Sequence, residues 1–322
     1  DPVLENNGEI TRGKGYISDD ITNKAISFIK NSKKPFFTYV SYNTPHSPMQ
    51  VPDSYLKDKN IVLKGRYSDK ENVKKTEAAL AMVENLDYNV GKVIDSLKKY
   101  ELYDNTIIIY FSDNGPNGNR WNNDLKERKG STNEGGVRVP FFIQWPKKIP
   151  SGIRVNQISS VLDIFPTLIE LTNNSSEIDF DGLSFKNFLN DQKLKDDQRK
   201  IFSYWNNKIS VRNNRFILDN QNNLFDLKID HQQEIVVNNK FTKEYNELKK
   251  AKNVWKNTVV DKYKKSIKRR RFTVNDLESV YTHLPARDAE ITGDLKRSSI
   301  HANCSFIENW ENKEDYIYWD VE

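Results

Sequence analysis

The chain has 322 residues, with 50 Lys and Arg against 45 Asp and Glu, a formal net charge of +5. That length fits two domains or one large domain with an appendage, and the near balance of charge does not by itself mark a nucleic-acid binder. Hydrophobic residues are 36% of the chain, yet 6 Trp, 15 Tyr and 16 Phe supply a core, so wholesale disorder is excluded. No run of about 18 apolar residues occurs, so no membrane-spanning helix is expected. One cysteine, Cys304, excludes an internal disulfide and a cysteine zinc cluster.

In chain order, Asp19 and Asp20 predict the N-cap of a helix over Ile21–Lys30, with Ile21, Ala25, Phe28 and Ile29 on one face. Pro35–Tyr42, rich in aromatic and β-branched residues, predicts a buried strand that runs into the proline-bounded loop Asn43–Pro48. The 3.6-residue period of Ala79, Met82, Val83, Leu86, Val90, Val93, Ile94 and Leu97 predicts a long helix over Glu71–Lys99. Thr106–Phe111 is a continuous apolar run, the pattern of a strand buried on both faces. After it come the loop Ser112–Pro116 and a second, glycine-rich loop reaching Gly136. A strand over Val139–Trp145 and a short helix over Asp163–Leu171 follow. This alternation predicts an α/β domain with a mainly parallel sheet flanked by helices, whose functional groups gather beyond the carboxyl ends of the strands.

From Ile201 the pattern changes to short strands, Ile201–Trp205, Arg215–Leu218 and Asn223–Leu227, expected to form a smaller antiparallel C-terminal subdomain. Phe241–Arg271 predicts a basic helix with Leu248, Trp255, Val259 and Ile267 as its apolar stripe. Its cationic run reads as a solvated face rather than a nucleic-acid surface, because aromatics are sparse and no recognition motif accompanies it. The expected organisation is thus residues 1–240 as a catalytic-domain portion, 241–272 as a basic helical linker, and 273–322 as the start of a β-rich module.

Three loops carry candidate chemistry. Asp113 and Asn114 offer hard oxygen donors suited to Ca²⁺ or Mg²⁺, though Asp-Asn-Gly also serves ordinary Asx turns. Lys129 stands in a glycine-bounded loop, where a compact ammonium can hold a sulfuryl or phosphoryl oxygen or stay solvated. His46 lies in a rigid strand-end loop and can donate a proton to a leaving oxygen, or simply bond its neighbours. His231, His283 and His301 have no partners at ligand spacing. In the variable loop Asn117–Arg128, Arg120 and Trp121 are candidate sugar contacts.

In sequence order, Pro35-Phe36-Phe37, Thr44-Pro45-His46-Ser47-Pro48, Val83-Glu84-Asn85-Leu86-Asp87 and Ile109-Tyr110-Phe111-Ser112-Asp113-Asn114-Gly115 resemble segments of the formylglycine-dependent sulfatases. The series continues through Lys129–Pro140, Trp145-Pro146, Asp163–Leu168, Asp181–Ser184 and Leu224–Leu227. The resemblance spans about residues 15–234. It implies an alkaline-phosphatase-like α/β fold and hydrolysis of a sulfated carbohydrate or an aryl sulfate. It makes Asp113 and Asn114 ligands of Ca²⁺, with Mg²⁺ the alternative, and Lys129 and His46 catalytic and substrate contacts at the sulfate and its leaving group. It also implies a periplasmic or extracellular setting. The family's nucleophile is a formylglycine made within Cys/Ser-x-Pro-x-Arg, a motif this sequence does not contain. The chain is therefore expected to hold the C-terminal portion of the catalytic domain, with the nucleophile outside it. Alone it should bind metal weakly and show no turnover. A related phosphodiesterase or phosphonate hydrolase, and a non-catalytic carbohydrate-binding derivative, are the alternatives.

Overall fold

A computed structural model describes residues 1–56, 64–263, 284–298 and 306–319. Contacts divide the chain into two units, residues 1–252 and 253–322. The first opens with an antiparallel hairpin, β1 (Val3–Asn6) and β2 (Glu9–Arg12). Asn7 and Gly8 between them take φ of 54° and 86°, the left-handed geometry that a two-residue Asn-Gly turn requires.

Helix α1 spans Ile17–Asn31, so it begins before the position that Asp19 and Asp20 predicted. Neither aspartate caps it. Both lie in its first turn, where their charge opposes the positive end of the helix dipole. Asp20 accepts the Lys14 N–H (3.1 Å) and pairs with Lys24 (2.6 Å). The hydrogen bond from Lys24 is the main reason its carboxyl titrates below the ordinary value. Asp19 reaches the next helix instead, accepting from the side chains of Asn85 (3.0 Å) and Asn89 (2.7 Å).

Helix α2 spans Val73–Lys99. Ala79, Met82, Leu86 and Leu97 of the predicted stripe are buried, while Val83 is exposed. Its first turn is closed by Asn72, whose Oδ1 accepts the Lys75 N–H at 3.0 Å. Asn72→Ala should therefore destabilise the protein by about 1 kcal/mol, and Asn72→Asp by much less. Urea midpoints of the two variants check this, and equal midpoints would show that the cap contributes nothing.

Pro35–Tyr42 is not the buried strand expected. Among the described residues it joins no ladder, and Phe37 and Tyr39 are exposed. A strand is sealed on both faces only by neighbouring strands and covering layers, and aromatic content cannot supply those. Tyr42 Oη does meet Thr22 of α1 at 2.8 Å, which anchors the segment.

Strand β3 (Ile108–Phe111) pairs antiparallel with β4 (Phe141–Gln144), in a register that sets Phe111 opposite Phe141. All ladders among the described residues are antiparallel, so the parallel pairing expected of the α/β domain is not among them. β3 is half-buried rather than covered on both faces. Beneath β4 a core forms from Trp145, Ile149, Leu171, Phe185 and Leu189, with α4 (Ile164–Leu171) and α5 (Lys186–Asn190) contributing. Buried Asp163 locks this corner. It pairs with Arg199 (2.5 Å) and accepts the backbone N–H groups of Ser160 (2.8 Å) and Leu183 (2.7 Å).

The antiparallel subdomain is a meander of β5 (Ile201–Trp205), β6 (Lys208–Arg212), β7 (Phe216–Leu218) and β8 (Leu224–Asp226). Helix α6 (Thr242–Trp255) lays Leu248 on the core of Val211, Phe216, Leu218, Leu224 and Val237. After α6 a π turn covers Lys256–Val260. The wider turn advances the register, so Val260 is buried and Val259, predicted on the apolar stripe, is exposed. Ile267 and the basic run 268–271 lie outside the described residues.

In the second unit four two-residue strands pair antiparallel: Glu290–Ile291 with Ile317–Tyr318, and Lys296–Arg297 with Ile307–Glu308. Cys304, His283 and His301 fall outside the described residues. Among those described, no helix is long and apolar enough to cross a membrane.

Candidate active site

The β3–β4 register brings two loops to one end of the ladder. Asp113 and Asn114 follow β3, and the glycine-rich loop with helical turn α3 (Glu134–Val137) leads into β4. The Gly115 N–H donates to Gly136 O (2.9 Å), and the Lys129 N–H donates to Pro116 O (3.0 Å). The loops approach so closely that a Cβ on Gly115 would collide with Gly135 O, and one on Gly135 with Glu127 O. The oxygen donors and the lysine, separated in sequence, are thereby stitched together by their backbones.

Asp113 is exposed, and its Oδ1 accepts the Asn114 N–H at 2.9 Å. The Asn114 side-chain amide donates to Gly115 O (2.9 Å), which leaves Oδ1 as its acceptor. Two adjacent hard oxygens suit Ca²⁺, but that ion takes six to eight, so they form only part of a ligand set. Among the described residues no group of three or more His, Cys, Asp or Glu could hold a metal. Lys129 is half-buried, and among the described residues its ammonium has no hydrogen-bond or ion-pair partner.

His46 is exposed. Its backbone N–H donates to Asn43 O (3.1 Å), and Nδ1 lies 2.8 Å from Ser47 O. Donation from Nδ1–H to that carbonyl leaves Nε2 available to a ligand. No contact among the described residues joins His46 to Asp113 or Lys129. Of the four predicted site residues, then, Asp113, Asn114 and Lys129 lie on two loops joined by backbone hydrogen bonds, and His46 stands on a separate loop anchored to α1 through Tyr42.

The loop 117–128 leaves and returns at Pro116 and Lys129. Gly65 and Arg66 hold it down, the Arg66 N–H donating to Asp124 Oδ1 at 2.7 Å. Burial pushes the Arg120 guanidinium below its ordinary value, Glu71 opposing, so Arg120 is not a free surface cation. Trp121 is half exposed, with the Lys64 ammonium 4.1 Å from its ring centre.

A buried network that the sequence did not announce supports the Lys129 loop. The Glu134 carboxylate pairs with Arg212 of β6 (2.5 Å) and Arg138 (3.0 Å). The Glu134 N–H donates to Gln233 Oε1 (3.0 Å), and Gln233 Nε2 donates to Asn133 Oδ1 (3.0 Å). Asn133 in turn donates to Glu127 (2.8 Å), and Ser210 Oγ donates to Thr132 O (2.6 Å). Burial raises the Glu127 carboxyl, but bonds from Ser131 and Asn133 outweigh it, and the net shift is downward.

The sulfatase family model matches residues 3–174, and the model for the C-terminal region of N-sulphoglucosamine sulphohydrolase matches residues 128–274. The chain belongs to the sulfatase family. It is 31% identical over 219 residues to the uncharacterized sulfatase YdeN of Escherichia coli (strain K12), a match covering 63% of this chain and 37% of that protein. It is 29% identical over 214 residues to N-acetylgalactosamine-6-sulfatase of Canis lupus familiaris, again covering 63% of this chain and 37% of the relative. Among solved structures, Ps i-CgsB in complex with k-i-k-neocarrahexaose is similar at a TM-score of 0.68 and 30% identity, over 79% of this chain and 58% of that one. The likeness gives the fold as alkaline-phosphatase-like α/β with antiparallel sheets in the C-terminal part. The chain spans 37% of the length of each of these two curated relatives.

Proposed function

We propose that the protein is a sulfatase that hydrolyses sulfate esters of carbohydrates, with Lys129 and His46 as its contacts to the sulfate and Asp113 and Asn114 as ligands of a bound Ca²⁺. The observation that supports this reading is the pair of backbone bonds, Gly115 to Gly136 and Lys129 to Pro116, that ties the loop of Lys129 to the loop of Asp113 and Asn114. A sulfate ester develops negative charge on its leaving oxygen as the S–O bond breaks. Lys129, its backbone held by the loop, stabilises the sulfuryl oxygens, and His46 as the imidazolium, its Nδ1–H on Ser47 O, gives its Nε2 proton to the departing oxygen and is left neutral. Bound Ca²⁺ would supply further positive charge at those oxygens. The family's Cys/Ser-x-Pro-x-Arg motif does not occur in the 322 residues, so the reading takes the formylglycine from outside them.

A sulfated carbohydrate is the favoured substrate class, with an aryl sulfate the alternative; an N-acetylgalactosamine-6-sulfatase and a structure holding neocarrahexaose among the relatives support the first, and an arylsulfatase of Clostridium perfringens the second. The family resemblance supports a periplasmic or extracellular setting as part of this reading.

Calorimetric titration of this chain with Ca²⁺ tests the metal assignment. Asp113→Ala should weaken binding by at least about tenfold, the loss expected for a metal-site residue. Unchanged affinity would remove Asp113 from the ligand set. A sulfatase-active form of the protein should cleave an aryl sulfate in preference to the matching aryl phosphate, and the reverse preference would overturn the reaction class.

A further inference from the structure

We propose that Trp205, at the tip of the β5–β6 hairpin, is the stacking platform of the candidate site, and that its ligand is a pyranose whose sulfate rests on Lys129. This rests on the sulfatase reading above and adds the residue that recognises the sugar ring.

The first support is position. Gly130 directly follows Lys129, and a Cβ placed on Gly130 would lie only 3.6 Å from Trp205 Nε1. Trp205 therefore borders the Lys129 loop although it is 76 residues away along the chain (205 minus 129). The absence of a side chain on Gly130, together with its φ of 86°, keeps the indole edge open.

The second is exposure without structural use. Trp205 is 52% exposed and belongs to neither hydrophobic core. Among the described residues its indole N–H has no hydrogen-bond partner. A large aromatic with one apolar face and one free donor matches a pyranose, which offers an apolar C–H face and a rim of hydroxyls.

The third is rigidity. Asn206 and Asn207 take φ of 43° and 63°, the two-residue turn that matches strand twist. Tyr204 Oη bonds Asn207 Oδ1 at 3.2 Å. Further along β6, Ser210 bonds Thr132 O and Arg212 pairs with Glu134. The hairpin is thus bonded to the same loop that carries Lys129, which holds the two segments in register.

The fourth is charge. Lys208, paired across the hairpin with Trp205, is exposed and close enough to Glu127 to lower its titration. Glu127, the carboxylate of this loop, is bonded to Asn133. Lys208 thus sets one cation at the strand position opposite Trp205.

The test is a calorimetric titration of this chain, wild type and variants, with the indole N–H signals of the 6 wild-type tryptophans in nitrogen-15 spectra locating the ligand. Trp205→Phe identifies the Trp205 signal. The probes are k-i-k-neocarrahexaose, its desulfated form and inorganic sulfate. The sulfated hexaose should move the Trp205 signal. Trp205→Ala should weaken its binding about tenfold, as one aromatic stack of about 1.4 kcal/mol implies, while inorganic sulfate binds as in wild type. Trp205→Phe should keep most of the affinity. Lys129→Ala should weaken both sulfated probes, and the desulfated hexaose should bind more weakly than its parent. If Trp205→Ala binds the hexaose like wild type while Lys129→Ala does not, the platform is refuted and the sulfate site stands. If Lys129→Ala changes neither probe, the sulfate site fails and the platform falls with it. Loss of inorganic sulfate in Trp205→Ala would make the residue structural and refute stacking. A hexaose that moves no signal at millimolar concentration refutes both.

Discussion

Replacing Lys129 with alanine should lower kcat/KM for an aryl sulfate about 10²–10³-fold in a sulfatase-active form of the protein, the range seen when one donor to a developing anion is removed. The expectation follows from how the ammonium is held. Its backbone is tied to Pro116 and its loop is closed by glycines, yet the charge itself has no internal partner among the described residues. A lysine whose backbone is held and whose charge is unpaired can meet the sulfuryl oxygens as charge redistributes in the transition state. Most of the loss should therefore fall on kcat. Lys129→Arg should recover only part of it, because a planar guanidinium presents its charge farther out and in a fork. Steady-state rates separate the outcomes. A loss confined to KM would show that Lys129 binds substrate and transition state alike, and no loss at all would remove it from the site.

The sequence, through its family resemblance, pointed to these candidate residues and to their convergence, but not to the backbone bonds that join their loops. Asp113-Asn114 and the Lys129 loop stand out because a buried apolar run feeds directly into polar, glycine-rich segments. What joins them is backbone hydrogen bonding between Gly115 and Gly136, which leaves no compositional mark beyond the glycines themselves. The same division holds for the fold. Helix α2 was readable because 3.6-residue periodicity reports one buried face, and Ile201–Trp205 because strand-forming residues end at a turn. Strand β6 and the first hairpin were missed although their signals were present, Asn206-Asn207 and Asn7-Gly8 being two-residue turns with positive φ. Pro35–Tyr42 failed for a different reason. Its composition reports strand propensity, whereas burial depends on partners elsewhere in the fold. The Val259–Val260 inversion came from a π turn, which shifts the helical face by an amount no periodic reading anticipates.

Glu134 is where the unread part of the structure should have its largest energetic effect. Its side chain is 1% exposed and lies between Arg212 and Arg138. The Arg138 half of the network is 58% exposed and contributes little, because solvent screens it. Arg212 is 17% exposed, and burial already pushes its guanidinium below the ordinary value while Glu134 pulls it back up. Glu134→Ala would leave that guanidinium buried without its counter-charge, which typically costs about 3–5 kcal/mol. Against a total stability of about 5–15 kcal/mol, this is enough to lower the urea midpoint severely. The double variant Glu134→Ala with Arg212→Met should be more stable than Glu134→Ala alone, since it removes the stranded charge rather than a contact. Additive losses in that cycle would show that the two residues are not coupled. Arg212 lies on the C-terminal meander and Glu134 opens the turn that follows the Lys129 loop, so the same cycle has a functional readout. If Glu134 joins the two, partial loss of the pair in a still-folded variant should weaken inorganic sulfate binding even though neither residue touches the anion.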